Sequence, residues 1–259
     1  MDIKSYQTAI EPVIREAGKL LKNKFATFAR TDARIKAAHE LVTDADLAAE
    51  QLIVAAIRQH FPDQAILSEE AGEDHKDSDW LWIIDPLDGT TNFSFHNPIW
   101  SISVALAYRQ QIVLGMIYAP YLEEFFVARA GEGAWLNDKP LVVSSISSGK
   151  VIHAFCHGYQ AADIERAVKY FSYQKLNNFD CRQLGSAALE LAFVAAGRLE
   201  SIAIPGGRLW DVAAGVALVR EAKGRVSDWQ GQDWTTRSQD LLASNNLVHD
   251  QILEIIKNL

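Results

Sequence analysis

The stretch from Trp80 to Phe93 constrains this chain more than any other, because an apolar segment runs directly into two carboxylates and a turn. Its opening residues are rich in aromatic and β-branched side chains, which is typical of a strand buried on both faces. Pro86 lacks a backbone N–H, so we expect the strand to stop there. Asp85 and Asp88 would then lie at the mouth of the strand.

A glycine and three cap-forming residues follow the carboxylates. Gly89 lets the backbone turn closely, and residues 90–92 favour the start of a helix with unpaired N–H groups, which attract anions. Two carboxylates beside such a turn are compatible when a divalent cation lies between them and a bound phosphate. An ordinary turn at the end of a core strand explains the same residues, so the motif alone does not decide between them.

Composition narrows the class of protein. The chain has 259 residues, 49% of them hydrophobic, which is enough for one sizeable core without division into separate domains. Its formal charge of -8 repels nucleic acid and anionic membranes, and no Lys/Arg run reverses that charge locally. Two cysteines without metal-ligand spacing are typical of reduced thiols. With no signal-peptide core and no window near ~18 apolar residues, we expect a cytoplasmic protein.

Two helices are predicted before the first long strand. Apolar residues recur at three- and four-residue spacing over residues 3–27, which predicts one long amphipathic helix. Thr43 is a natural N-cap for a second helix, with Asp44 and Asp46 in its first turn. Acidic residues there stabilise the helix dipole, so the local pattern assigns neither aspartate to a site.

A short strand over residues 65–72 is predicted to end in the pair Glu69 and Glu70. Most Glu-Glu pairs are solvated surface residues. This pair comes directly before the strand that carries Asp85. If the two strands are neighbours, Glu69 or Glu70 joins the same carboxylate cluster.

The remaining pattern predicts an antiparallel meander followed by an α/β half. Asp211 lies at the start of a predicted helix, where it is either an N-cap or a site residue. No linker or repeat separates the halves, so we expect an integrated layered sandwich. The meander strands are predicted at 99–107, 111–118 and 124–128, a structural glycine-rich hairpin at 131–138, and later helices at 161–171, 186–196, 211–222 and 248–258.

Three motifs, taken in order, resemble the inositol monophosphatase family of metal-dependent phosphatases. They are Glu69-Glu70, the run from Asp85 to Phe93, and the run from Trp210 to Gly215; Lys36, residues 42–46 and residues 185–188 also follow the family's order. The resemblance spans almost the whole chain. It implies one domain over 1–259 with an alternating αβαβα sandwich, a metal-binding half at about 1–145 and an α/β half at about 146–259.

The resemblance also implies a set of metal ligands. Glu69, Asp85 and the Leu87 carbonyl would hold one Mg²⁺, and Asp85, Asp88 and Asp211 would hold a second. Glu69 would also contact a weaker third ion. Oxygen ligands of this kind suit Mg²⁺, or Mn²⁺ as a substitute, and disfavour zinc.

Catalytic and substrate contacts are implied in the same way. Thr90 with Asp46 would orient and deprotonate the water that attacks phosphorus, and Glu69 would take part in catalysis through its metals. The backbone N–H groups of Gly89 and Thr90 would receive the phosphate. The other substrate contacts implied are Gly185, Ser186, Ala187 and Arg208.

Two departures from the family's pattern concern the substrate. Members that hydrolyse inositol phosphates commonly have a hydroxyl-binding glutamate seven residues before the tryptophan-linked aspartate, and this chain has Ile204 there. Arg208 either faces the pocket and favours a second negative group or is a solvated arginine. Thr91-Asn92-Phe93 replaces the lysine that commonly follows Asp-Gly-Thr in 3′-phosphoadenosine phosphatases, which argues against that activity.

The sequence therefore predicts a Mg²⁺-dependent phosphomonoesterase acting on a small polyol or sugar phosphate, with inositol monophosphate as the leading substrate. Fructose 1,6-bisphosphate and histidinol phosphate are the alternatives. A regulatory protein that keeps the fold without the catalysis is the competing class. By resemblance we also expect lithium inhibition and a homodimer. From the net charge we expect no nucleic-acid or membrane partner.

Overall fold

The computed structural model describes residues 2–30, 34–37 and 40–259, and the side chain of Lys36 lies outside the described residues. The helices in these ranges are α1 (Ile3–Thr27), α2 (Asp44–His60), α3 (Thr90–Ser94), α4 (Ala161–Leu176), α5 (Ala187–Ala195), α6 (Leu209–Glu221) and α7 (His249–Lys257). The first strands are β1 (Arg34–Ala37), β2 (Glu40–Val42), β3 (Ala65–Ser68), β4 (Gly72–Glu73), β5 (Trp80–Asp88), β6 (Ser101–Tyr108), β7 (Gln111–Ala119) and β8 (Glu124–Arg129). The remaining strands are β9 (Gly133–Leu136), β10 (Lys139–Pro140), β11 (Ile152–Phe155), β12 (Asp180–Arg182), β13 (Ser201–Ile204), β14 (Arg225–Ser227) and β15 (Leu241–Ser244).

The elements form five alternating layers, which confirms the predicted αβαβα sandwich. Helices α1 and α2 pack on one face of an eight-stranded sheet with the order β10-β9-β8-β7-β6-β5-β3-β4. Its other face packs on α5 and α6, which also cover a five-stranded sheet with the order β12-β11-β13-β15-β14. Helices α4 and α7 close the far side of that second sheet.

The two central helices are buried on nearly every side because a sheet lies on each side of them. In α5 all but one of the residues are buried, and in α6 burial is continuous from Val212 to Val219. Their contact is close, since a Cβ atom at Gly215 would lie 2.4 Å from the Cβ of Leu191. This packing fixes the first turn of α6 above the large sheet, where Ser103 donates its hydroxyl to the Trp210 carbonyl at 3.2 Å.

The central strand β5 does not stop at Pro86, so that prediction was wrong. Its antiparallel pairing with β6 continues from Asp85 opposite Ser103 to Asp88 opposite Ser101, with a bulge between the two pairs. A bulge leaves a residue out of the ladder, so a proline without an N–H is tolerated there. The bulge carries the strand onward and turns both aspartates towards the same end of the sheet.

The predicted neighbourhood of β3 and β5 is confirmed. The two strands pair in parallel, with Ser68 opposite Ile84, and the Glu69 N–H continues the ladder to the Ile84 carbonyl at 3.1 Å. Glu69 therefore lies beside Asp85. The antiparallel meander through β6, β7 and β8 is also present, and the four later helices lie where the spacing of apolar residues predicts them.

Candidate functional site

A pocket of about 260 Å³ opens where the C-terminal ends of β3 and β5 meet the first turns of α3, α5 and α6. It brings together residues that are more than a hundred positions apart in the sequence. Its lining includes Glu69, Asp85, Leu87, Asp88, Gly89, Thr90, Gly185, Ala187 and Asp211 from the predicted site, and Thr91, Asn92, Cys156, His157, Tyr159 and Gln183.

Asp85 lies deepest among the carboxylates. It is 2% exposed, and its Oδ1 accepts a hydrogen bond from the Leu87 N–H at 2.9 Å across the bulge of β5. Burial raises the pKa of Asp85 well above its ordinary value, and repulsion from Glu69, Asp88 and Asp211 raises it further.

Asp88 uses its side chain to cap α5. Its Oδ1 accepts from the Ala187 N–H at 3.1 Å, and its Oδ2 accepts from the Ala188 N–H at 2.9 Å and from the Ser186 hydroxyl. Burial raises the pKa of Asp88 to about 6, although these hydrogen bonds lower it. The buried Ser186 hydroxyl and the Ala187 N–H, both predicted to contact substrate, are thus directed at Asp88 in this structure.

Asp211 is the third residue of α6 and is not its N-cap. The N-cap is Arg208, whose N–H donates to Oδ2 of Asp211 at 3.1 Å. The predicted N-cap alternative is therefore wrong, because Asp211 lies at the third helical position and accepts a hydrogen bond from the N-cap residue. The side chain is half-buried at the pocket. Burial, with repulsion from Asp88 and Glu69, raises its pKa well above the ordinary value.

Thr90 and Asp46 are in contact, although 44 positions separate them in the sequence. The Thr90 hydroxyl lies 3.1 Å from Oδ1 of Asp46 and 3.0 Å from the Leu87 carbonyl oxygen. Thr43 caps α2, and both its N–H and its hydroxyl donate to Oδ2 of Asp46. Asp46 is fully buried, and burial raises its pKa to about 6. The capping role and the position in the site are therefore combined in one residue.

The turn before α3 requires glycine at position 89. Its φ is 94°, and a Cβ atom there would lie 3.0 Å from the Ile99 carbonyl oxygen and 3.1 Å from the Gly185 carbonyl oxygen. Asn92 closes the same turn, because its side-chain amide donates to the carbonyls of Ile99 and Leu184, each at 2.7 Å. Sequence reasoning treated Asn92 only as a cap-type residue, since its bond partners lie in distant segments.

The segment between β11 and α4 was missed by sequence reasoning. It contributes Cys156, His157 and Tyr159 to the pocket, and no spacing or motif marks these residues. Burial raises the pKa of the Cys156 thiol well above its ordinary value, and the negative charges of Glu190, Asp88 and Asp211 add to that effect. This thiol is therefore kept neutral.

Neither Ile204 nor Arg208, the two positions at which the sequence raises the question of substrate, lines the pocket with the carboxylates. Ile204 is 1% exposed on β13 and packs in the core between the sheets, so it lines neither this pocket nor the adjacent one. Arg208 is exposed and lines the adjacent pocket of about 650 Å³, which shares Tyr159 with the first. Its guanidinium lies 5.8 Å from the centre of the Trp210 ring.

The carboxylates form a donor set that fits Mg²⁺. Asp85, Asp88 and Asp211 take part in none of the ion pairs among the residues that the structure describes. In those ranges no three His, Cys, Asp or Glu side chains are already arranged as a metal cluster. The carboxylate oxygens of Asp85, Asp88 and Asp211 instead accept hydrogen bonds from backbone N–H groups. A bound divalent cation would offset the repulsion that raises these pKa values, and oxygen donors are what Mg²⁺ selects.

Among the described helices, none is both long and apolar enough to cross a membrane.

Comparison with known proteins identifies the family. The sequence matches the inositol monophosphatase family over residues 2–259. It is 38% identical to Nus factor SuhB of Escherichia coli K12 over 237 residues, covering 89% of this chain and 88% of that protein. It is 36% identical to a fructose-1,6-bisphosphatase/inositol-1-monophosphatase of Thermotoga maritima over 217 residues, covering 84% and 82%.

A solved structure shows the same architecture. The extragenic suppressor protein suhB of Bartonella henselae superposes with a TM-score of 0.91 at 30% identity, and the match covers 98% of each chain. The family match over nearly every residue, the identities above 30% and the shared fold agree with one another. The chain belongs to the inositol monophosphatase family.

Proposed function

We propose that this protein is a Mg²⁺-dependent phosphomonoesterase that hydrolyses a small polyol or sugar phosphate, with inositol monophosphate as the leading substrate. The observation that carries this proposal is the meeting of Glu69, Asp85, Asp88 and Asp211 around one pocket. Phosphate monoesters hydrolyse extremely slowly without a catalyst, so an enzyme must supply both an activated water and positive charge. A family of phosphatases supports the reaction class.

The carboxylates would bind the metal, with Asp85 shared between two ions and the Leu87 carbonyl adding a neutral oxygen. Mg²⁺ held there would lower the pKa of a water molecule and neutralise the charge on the phosphate oxygens. Glycine at position 89 permits the φ of 94° that this turn needs.

Thr90 and Asp46 would orient and deprotonate the attacking water. The Thr90 hydroxyl has one proton, and donating it to Oδ1 of Asp46 leaves the oxygen lone pairs available to accept a proton from water. The pKa of Asp46 near 6 is suited to a base at neutral pH, because the group is ionised and still able to take a proton.

Phosphate release from a panel of phosphate monoesters, measured with Mg²⁺ and with EDTA, tests the proposal. The panel holds inositol monophosphate, fructose 1,6-bisphosphate, histidinol phosphate and 3′-phosphoadenosine phosphate. We expect Mg²⁺-dependent release from the first at neutral pH and none from the last. Failure to hydrolyse any of them in Mg²⁺ or Mn²⁺, together with co-purification of a protein partner, would favour the regulatory class; one relative is named Nus factor SuhB.

A second substrate, fructose 1,6-bisphosphate, is favoured by Arg208. Its guanidinium lies at a pocket next to the carboxylates and forms none of the ion pairs among the residues that the structure describes, so it can attract a second anionic group. Arg208→Gln should raise KM for the bisphosphate about tenfold, in line with the loss of one charge-assisted contact, and leave KM for inositol monophosphate nearly unchanged. Equal effects on both substrates would assign Arg208 to the solvated surface.

Cytoplasmic location, inhibition by Li⁺ and assembly as a homodimer also belong to this proposal. The two free cysteines support a reducing compartment. Sedimentation of the purified protein and titration of the reaction with LiCl would test the other two.

A further inference from the structure

A buried carboxylate on α2 holds the turn that contains Glu69. Glu50 is 7% exposed, and one of its oxygens, Oε1, accepts hydrogen bonds from three donors. These are the Ser68 hydroxyl, the Glu70 N–H at 3.2 Å and the Ala71 N–H at 3.0 Å. The three donors come from residues immediately before and after Glu69.

The turn has a second anchor on the opposite side. The Glu69 N–H donates to the Ile84 carbonyl at 3.1 Å, which ties the turn to β5 directly before Asp85. The chain on both sides of Glu69 is therefore fixed, by β5 through one bond and by Glu50 through two backbone N–H groups and the Ser68 hydroxyl. A short turn between β3 and β4 has no ladder partners of its own for these N–H groups, so a side chain must supply the acceptor.

Fixing this backbone matters because Glu69 lies among like charges. Asp85 and Asp211 repel it when ionised, so a turn that could move would carry Glu69 away from them. Ligand side chains bind a metal tightly only when the groups behind them hold their orientation. Glu50 lies outside the pocket lining and does not itself reach the carboxylate cluster described there.

We propose that Glu50 is a positioning residue that holds the Glu69 turn in the orientation needed for metal binding. The inference rests on the proposed function, because it takes Glu69 as a metal ligand. Three hydrogen bonds to one buried oxygen carry it. Glu50 acts through the backbone of residues 68–71 and does not contact substrate.

Direct Mn²⁺ binding, followed by electron paramagnetic resonance of the free ion, tests this role without depending on turnover. Glu50→Ala should weaken Mn²⁺ binding ~10–100-fold, the usual cost of losing a supporting group behind a ligand. The Mg²⁺ concentration for half-maximal activity should rise by a similar factor. KM for the substrate at saturating Mg²⁺ should stay nearly constant. Glu50→Gln should retain near-normal binding, because the amide oxygen can accept from the same donors.

Asp74 provides a matched control. It also accepts a backbone hydrogen bond in the β3–β4 hairpin, from the Ile66 N–H at 3.1 Å, but it does not bond to the turn around Glu69. Asp74→Ala should lower stability without weakening Mn²⁺ binding. If Glu50→Ala does not fold, Glu50→Asp replaces it in the test. This variant keeps the charge but moves the carboxylate oxygen away from its donors by one methylene. It should weaken Mn²⁺ binding more than Glu50→Gln does.

The outcomes separate the two proposals. Wild-type protein that binds Mn²⁺ and hydrolyses phosphate, with Glu50→Ala binding as tightly as Asp74→Ala, would overturn the role of Glu50 alone. Binding lost equally in Glu50→Gln and Glu50→Ala would overturn it too, because the amide preserves the acceptor. Wild-type protein that binds no Mn²⁺ would overturn both this role and the proposed function.

Discussion

Asp211 places a negative charge where two other carboxylates already raise its pKa, so a cation is needed to balance it. Asp211→Asn removes the charge but keeps an oxygen that can accept from the Arg208 N–H. We expect a folded protein whose kcat in Mg²⁺ falls ~100-fold or more, equivalent to about 2.7 kcal/mol of transition-state stabilisation.

Glu190→Gln is the matched control for that substitution. Glu190 is a fully buried acid next to the same cluster, and burial raises its pKa well above the ordinary value. Its amide analogue keeps the acceptor for the Leu184 N–H at 2.7 Å. We expect nearly unchanged kcat from this variant, and full activity in Asp211→Asn would contradict the metal assignment.

Gly89 is required for two reasons that a pair of alanine variants can separate. Gly131 also has a positive φ, of 75°, but a Cβ atom there would meet nothing within 4 Å. Gly131→Ala should therefore show the cost of the backbone conformation alone, ~1 kcal/mol. Gly89→Ala should cost ~1–3 kcal/mol more, because its Cβ would press on two carbonyl oxygens. Urea unfolding measures both, and equal losses would mean that the turn has room to move.

At the scale of elements, the contact between α5 and α6 decides how close Asp211 comes to the sheet. Alanine is favoured over glycine inside a helix by ~1 kcal/mol, yet a Cβ at Gly215 would meet Leu191 at 2.4 Å. We expect crowding to prevail, so Gly215→Ala should lower the free energy of unfolding by ~1–3 kcal/mol. A rise in the urea midpoint would show that the helices separate easily.

The β5 bulge is the other element on which the site depends. A regular strand would place Asp85 and Asp88 on opposite faces, because they are three residues apart and side chains alternate. The bulge between them, at Pro86 and Leu87, restores a common direction and directs the Leu87 N–H to Asp85. Proline thus marks an irregularity in the strand and not its end.

At the scale of the whole molecule, two buried histidines make stability depend on pH. His249 joins β14, β15 and α7 through the hydroxyls of Ser227 and Ser244, at 2.9 and 2.8 Å, and burial lowers its pKa from 6.5 to about 4. Burial lowers the pKa of His153 to about 4 as well. Between pH 6.5 and 4 the unfolded chain binds more protons at these sites, so their contribution is present above pH 6.5 and is lost as the pH falls.

The site carboxylates act in the opposite direction, because Asp46 and Asp88 have pKa values raised to about 6 and favour the folded state as the pH falls through that value. The histidine contribution is therefore measured as the difference in unfolding free energy between the wild-type protein and a histidine variant. Relative to wild type, His249→Gln should lose ~1.4 kcal/mol less per pH unit below 6.5 in urea unfolding. Parallel pH profiles for the two proteins would mean that His249 binds a proton equally well in the folded and unfolded states, so that its pKa is not lowered.

Local spacing was sufficient for much of the molecule. The amphipathic helix α1, the capped helix α2 and the meander all follow from neighbours a few residues apart, and each prediction agrees with the structure. The αβαβα layering, implied by the resemblance, is confirmed as well. The assigned roles of the site residues stay predictions, because they depend on bound metal and substrate.

What the tertiary structure decided are the contacts between distant segments. Parallel pairing of β3 with β5 brings Glu69 to Asp85, and helix packing brings Asp211 to the same pocket. Ile204 packs in the core. The segment after β11 lines the pocket, although no sequence motif predicts that position. The sequence by itself determined which residues are candidates for the chemistry, since charge and local conformation are properties of short segments. Strand register, the bulge and the helix contacts determined where those residues meet, since these arise only when the layers pack.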